Sequence, residues 1–255
     1  MTEDNQVVIY KVESGIARIT LNRPDKRNAL NDQLIAGLKA SFGNAHRDDT
    51  VRAVILNAAG QDFCSGADLS ALQKISTATV AENLDDARSL MELFVLIRNV
   101  RVPVIAAVRG RALAGGCGLA TACDLVLAAD SARFGYPEVK IGFVPAMVMA
   151  ILRRNVSEKR AFELITRGDE IDAHQAKEMG LVNQVFSEAS FLNEVETYVQ
   201  RYLKTSKTAV ELTKKLLYQI DSLSFVESLE TGVDVNVIAR MTDDCQQGIA
   251  KFLKK

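Results

Sequence analysis

Histidine is nearly absent from this 255-residue chain: His46 and His174 are the only two. Chemistry that depends on an imidazole base, such as a Ser-His-Asp triad, is excluded unless one of these two sits buried in a site. The four cysteines, Cys64, Cys117, Cys123 and Cys245, include no C-x-x-C pair. Neither a zinc site nor a disulfide framework is indicated, and four reduced thiols fit a cytoplasmic protein. No apolar run approaches the ~20 residues that a membrane helix needs. The first residues (MTEDNQVVIY) are acidic and have no apolar signal core. Neither G-x-G-x-x-G nor G-x-x-x-x-G-K-[ST] occurs, which leaves dinucleotide and P-loop binding without an anchor. With 31 Lys+Arg against 32 Asp+Glu the formal net charge is -1. That balance gives no electrostatic case for nucleic acid as a partner.

What is present reads as an ordinary globular chain, 48% apolar and 25% charged, long enough for one large domain or a domain with a helical appendage. Residues 7–10 and 16–21 alternate around Gly15 like a hairpin. Asn31 caps a helix carrying Leu34, Ile35, Leu38 and Phe42 at helical spacing. Residues 51–56 (VRAVIL) form a β-branched strand, 84–100 a helix, 104–108 a strand, 116–123 a helix and 125–129 a strand. This alternation predicts an α/β body with buried apolar strands. Ser157 starts a helix that Gly168 stops, and Asp172 with Gln175 forms a capping-box pair on a helix closed by Gly180. A strand at 181–186 follows. The spacing is then helical only, over 191–203, 206–223 and 226–252. No linker or repeat interrupts the chain.

Two loops carry candidate chemistry. The loop Gln61-Asp62-Phe63-Cys64-Ser65-Gly66-Ala67-Asp68-Leu69 is built of small residues that let a ligand approach the backbone, whose free N–H groups can donate to an oxygen. Ala114-Gly115-Gly116 sits between a strand and a helix, where N–H groups and the helix dipole favour negative charge. Two such donors aimed at one point would make an oxyanion hole. Each part alone has a plainer reading, since glycine turns before helices are commonly caps or packing contacts.

Together these segments resemble the crotonase, or enoyl-CoA hydratase/isomerase, superfamily over essentially the whole chain. The resemblance is carried by Ile19-Thr20-Leu21-Asn22-Arg23-Pro24 with Asn28-Ala29-Leu30, by Phe63–Leu69, by Pro103–Asp124 and by Phe134-Gly135-Tyr136-Pro137-Glu138. It implies an α/β fold, a crotonase-like spiral of ββα turns with a helical C-terminal trimerisation region. Residues 1–190 would form the acyl-CoA-binding core. Residues 191–255 would serve oligomerisation, as a homotrimer or a dimer of trimers, and part of the CoA site. It further implies an acyl-CoA thioester substrate, no separate cofactor, no metal and a cytoplasmic location. The oxyanion hole would be the amides of Ala67 and Gly115, with Glu138 as general acid/base. CoA would run past Arg23, Lys26, Ala29, Ala67, Asp68, Leu69, Gly115 and Gly116. Lys26 reads equally as a solvated surface lysine.

The chain departs from the resemblance at two places. Well-known hydratases of the family hold the attacking water with two glutamates; the second matches Glu138, while the first falls at Gly118. After Pro145, where such hydratases carry a glycine-rich helix start, this chain has Ala146-Met147-Val148-Met149-Ala150, which narrows the acyl pocket or fills core. One carboxylate suffices to move a proton between two carbons. The leading expectation is hydration of a 2-enoyl-CoA. The alternatives are 3-enoyl to 2-enoyl-CoA isomerisation by the same glutamate and a catalytically impaired acyl-CoA-binding member. RNA binding, found in one branch of the family, has no support from the charge balance.

Overall fold

The computed structural model describes residues 6–254; the first five residues of the acidic start lie outside the described residues. The chain begins with β1 (Val8–Glu13), β2 (Ile16–Leu21), α1 (Asp32–Arg47) and β3 (Ala53–Ala58). Next come α2 (Leu69–Thr77), α3 (Val80–Asn99), β4 (Val104–Val108), β5 (Arg111–Leu113), α4 (Gly115–Ala122), β6 (Leu125–Ala129) and β7 (Arg133–Gly135). They lead to α5 (Ala146–Asn155), α6 (Glu158–Arg167), β8 (Glu170–Asp172), α7 (Ala173–Met179) and β9 (Gln184–Phe186). Four helices finish the chain: α8 (Phe191–Gln200), α9 (Lys207–Gln219), α10 (Phe225–Arg240) and α11 (Asp243–Phe252).

The strands form a six-stranded sheet of order β1-β2-β3-β4-β6-β9 and a three-stranded sheet of order β5-β7-β8. The β1–β2 hairpin is antiparallel and the rest of the large sheet is parallel. After the first hairpin, the units β4–β5 and β6–β7 each send a long strand into the large sheet and a short strand into the small one. Thus β4 and β6 are neighbours in one sheet while β5 and β7, which follow them, are neighbours in the other. Repeating that step winds the chain as a spiral.

Burial of both sheet faces explains the near-continuous apolar strands. Val54, Leu56, Val104, Ala106, Val126 and Ala128 belong to the larger core, shared with Leu34, Leu38, Phe42, Phe94 and Ile97 of the helices. The alternate residues Ile55, Ile105, Ala107 and Leu127 face the other way, onto Phe191, Val195 and Val199 of α8. Beyond α8, helix α9 is tied to this body through a buried ion pair. Lys214 Nζ donates to Asp124 Oδ2 at 2.6 Å and to the Val102 carbonyl at 3.0 Å, and the Tyr218 hydroxyl donates to Asp124 Oδ1 at 2.5 Å.

Several element boundaries differ from the sequence reading for identifiable reasons. The strand expected at 51–56 starts at Ala53, because Asp48 accepts from Thr50 N and Oγ1 and holds the preceding residues in a turn. The helix expected at 84–100 begins at Val80, behind a Thr79–Glu82 capping box, and α2, capped by Asp68, precedes it. The strand expected at 181–186 is shortened because Leu181 and Val182 both donate back to the Ala176 carbonyl in the turn that closes α7. The helix expected over 226–252 is two helices, separated where Thr242 leaves the first and caps the second. Among the described residues no helix is long and apolar enough to cross a membrane.

Candidate active site

The site assembles where three segments are laced side by side. Asn28 is fully buried and does most of the lacing. Its Oδ1 accepts from Arg23 N at 2.8 Å, and its Nδ2 donates to the Ala59 and Asp62 carbonyls, both at 2.8 Å. This joins the segment after β2 to the loop after β3. The loop is then paired on both edges. Leu30 N donates to Gly66 O at 2.7 Å and Asp68 N to Leu30 O at 2.9 Å. On the opposite edge Cys64 N donates to Arg111 O and Leu113 N to Cys64 O, both at 2.9 Å.

The parallel bridge at Leu30 uses the groups of residues 66 and 68, one on each side of Ala67. It therefore leaves the Ala67 N–H without a protein acceptor among the described residues. The Gly115 N–H is similarly unpaired, because Gly115 is the first residue of α4 and has no acceptor one turn back. The two amides are close in space. A Cβ on Gly66 would lie 3.0 Å from Ala114 Cβ, and one on Gly115 would lie 3.0 Å from Leu30 Cδ1. Glycine at 116 is required by the same crowding, since a Cβ there would stand 2.3 Å from the Cys64 carbonyl. The amide of Gly115 is aimed by Ala114, whose φ of 50° and ψ of -126° are unusual for a residue with a side chain.

Glu138 reaches the same neighbourhood through the small sheet. Leu113 is paired with Gly135 in the β5–β7 ladder. From that rung one strand runs two residues on to Gly115 and the other three residues on to Glu138. Glu138 lies in the single-turn helix Pro137–Ile141, which Gly142 closes at φ 77°. Its Oε2 is buried and has no hydrogen-bond partner among the described residues. Burial pushes the Glu138 carboxyl above the ordinary glutamate value, opposed in part by a hydrogen bond from its own backbone N–H. Beneath it, Tyr136 is fully buried with its hydroxyl 3.2 Å from Thr121 Oγ1. Cys117 is buried too, and burial raises its thiol to about 12, which makes it a packing residue.

Gly118 has a neighbour that the sequence did not disclose. A Cβ at this position would lie 2.3 Å from Val148 Cγ1 and 3.2 Å from Phe94 Cζ. Val148 is 4% exposed and Phe94 5%. The place beside Gly118 is thus filled from two other helices, α5 and α3. Met147 and Met149 are partly buried against the same core.

The remaining candidates divide into two groups. Arg23 and Asp68 are paired, Nη2 to Oδ2 at 2.7 Å, with side chains only 14% and 12% exposed. Arg23 Nη1 also donates to the carbonyl of buried Ala29. Hydrogen bonds from Arg23 and Ser70 hold the Asp68 carboxyl down to about 2. Arg23 is therefore a compensated cation. Lys26 and Leu69 stand exposed at the edge, Leu69 82% so although it is apolar. Asn28 is the residue whose importance the sequence reading missed. Its signal lay in the Arg-Pro-x-x-x-Asn-Ala run, which was legible as part of the resemblance but not as a buried hydrogen-bonding centre.

A family model described as Enoyl-CoA hydratase/isomerase matches residues 11–255. The chain belongs to that family. It is 38% identical over 248 residues to the putative enoyl-CoA hydratase of Thermus thermophilus, covering 97% of this chain and 98% of the relative. It is 31% identical to the 2,3-dehydroadipyl-CoA hydratase of Escherichia coli, covering 97% and 96%. Among solved structures it is similar to an enoyl-CoA hydratase of Mycobacterium smegmatis, with a TM-score of 0.93, 30% identity and coverage of 97% and 96%. It is also similar to human enoyl-coenzyme A hydratase domain-containing protein 3, with a TM-score of 0.92, 28% identity and 97% coverage of both chains. The crotonase-like spiral expected from the resemblance is therefore the fold of this chain. As an enzyme of the hydratase/isomerase family it acts on acyl-CoA thioesters.

Proposed function

We propose that this chain hydrates a 2-enoyl-CoA, with the Ala67 and Gly115 amides as oxyanion donors and Glu138 as the one acid/base. The observation that carries the proposal is that two amides without acceptors among the described residues lie close to the half-buried Glu138, whose Oε2 has no partner among them. In the forward reaction the Glu138 carboxylate takes one proton from water while the water oxygen bonds to C3. The C2=C3 pair moves to C1=C2, and the thioester oxygen receives the charge between the two amides. The proton on Glu138 then passes to C2 as the carbonyl re-forms, so that one water is added and the carboxylate is restored. Donors preorganised at the developing charge typically contribute about 10²–10³ in rate each. Thioester enolates are accessible enough for amides to suffice, so the scheme uses no metal or separate cofactor, and CoA enters as part of the substrate.

A second reading is favoured by the filled space at Gly118. With a single carboxylate, 3-enoyl-CoA can be isomerised without water. Glu138 removes a proton from C2, the dienolate is held by the same amides, and the proton returns at C4 as C2=C3 forms. An assay of matched 2-enoyl-CoA and 3-enoyl-CoA, with wild type and Glu138→Gln, tests both readings. Hydration lost in the variant supports the first. Isomerisation without hydration replaces it with the second. Acyl-CoA binding with no turnover of either substrate overturns both.

The C-terminal helices support self-association. Phe225, Leu229, Val233, Val237 and Met241 recur every four residues along α10 and its end, and all are more than half exposed. A homotrimer, alone or paired, would cover such a row. Light scattering on the purified chain distinguishes this assembly from a monomer.

A further inference from the structure

We propose that Val148, backed by Phe94, is the selectivity residue of this site: by filling the space over Gly118 it sets the partition between water addition and carbon-to-carbon proton transfer. The proposal rests on Glu138 acting as acid/base on an enoyl-CoA.

Four observations converge on it. Gly118 lies in the second turn of α4, the helix that starts at Gly115. One turn on, Thr121 Oγ1 lies 3.3 Å from the Gly118 carbonyl and 3.2 Å from the hydroxyl of Tyr136, which stands just ahead of Glu138 in the chain. The volume above the Gly118 α-carbon is occupied, with Val148 Cγ1 only 2.3 Å from where a Cβ would stand. Finally, Glu138 Oε2 has no polar partner among the described residues.

A water at Glu138 needs two or more polar partners to be held in one orientation. Glu138 supplies one, and the groups packed over Gly118, the Val148 methyl and the Phe94 ring edge, offer neither an acceptor nor a donor. Water is consequently oriented by one carboxylate alone, which slows its addition to C3. Proton transfer from C2 to C4 needs only that carboxylate and is unaffected. Val148 and Phe94 come from α5 and α3, outside the two loops that carry the amides, so they can alter selectivity without changing the oxyanion donors.

The test is the ratio of hydration of a 2-enoyl-CoA to isomerisation of the matching 3-enoyl-CoA, measured for wild type, Val148→Ala and Val148→Thr. The alanine variant opens the space, and the threonine variant keeps the shape but adds a hydroxyl. Since one further hydrogen bond to the water is worth roughly twofold to tenfold, each folded variant is expected to raise the ratio by up to about tenfold. The change should come from faster hydration, with isomerisation kept within about twofold. A ratio unchanged in both variants, with circular dichroism matching wild type, overturns the proposal and leaves the role of Glu138 intact. Absence of either reaction in wild type and variants overturns the selectivity role together with the reading on which it rests. Because a purely structural role for Val148 would lower both rates together, parallel losses also overturn it.

Discussion

Arg23 and Asp68 form a nearly buried ion pair, 2.7 Å from Nη2 to Oδ2, that ties the segment after β2 to the residue following Ala67. Asp68 also caps α2 by accepting from Ser70 N at 3.0 Å. Its carboxyl is held down to about 2 by hydrogen bonds from Arg23 and then Ser70. A depressed carboxyl stabilises the folded state fully above its unfolded value of ~4 and loses that contribution as pH falls toward the folded value. Asp68→Asn should therefore cost stability at neutral pH, and its deficit against wild type should shrink between about pH 4 and pH 2. Urea melts across that range check it; a pH-independent deficit would contradict the assignment.

For Glu138 the sign is opposite. Burial raises its carboxyl, so the charged form weakens folding as pH rises through the shifted value. Glu138→Gln should be at least as thermally stable as wild type at pH 8 while losing about 10²–10⁴ in kcat. In wild type, kcat/KM should rise with pH through a value above the ordinary glutamate ~4.3, because the carboxylate is the form that accepts a proton. A pH-rate profile and a melting curve on the same preparations separate the two effects.

Gly118→Ala should destabilise by about 1–3 kcal/mol through overpacking, since its Cβ would collide with Val148 Cγ1. The same change made in a Val148→Ala background should cost much less, and the non-additivity would measure the contact. Thermal melts of the two single variants and the double variant complete the cycle.

Lys214→Met would leave the Asp124 carboxylate half-sequestered without its cation, while Tyr218 keeps its 2.5 Å hydrogen bond. Breaking a buried pair from one side costs about 3–5 kcal/mol. Guanidinium unfolding should register that loss, and proteolysis should cut first in the α9–α11 region if the pair is what anchors it.

The strands, the caps at Asn31 and Asp172 and the αL closures at Gly168 and Gly180 were legible because each depends on residues near one another in sequence. The short strands of the small sheet were not. Three residues give no periodicity, and what makes Arg111–Leu113 and Arg133–Gly135 strands is their partner in the next turn of the spiral. The break at Thr242 was hidden because apolar spacing continues across it, and only the fold shows the Thr242 side chain accepting from Cys245 N. At the site the missing acid at Gly118 was readable, but its replacement was not. Val148 lies 30 residues away and Phe94 24 residues away, so only the packing of three helices brings them to it.

Ala114 bears on how the site meets its ligand. Both peptides that flank it are held: its N–H donates to Gly135 O at 2.9 Å, and its carbonyl, in the peptide that carries the Gly115 N–H, accepts from Gly118 N at 3.0 Å. A left-handed alanine costs on the order of 1–3 kcal/mol, and the surrounding ladder sustains it. The direction of the Gly115 amide is therefore a standing property of the protein before any thioester arrives. Binding would proceed as docking onto a ready-made donor, with no backbone rotation to wait for and no conformational equilibrium to lower the apparent affinity.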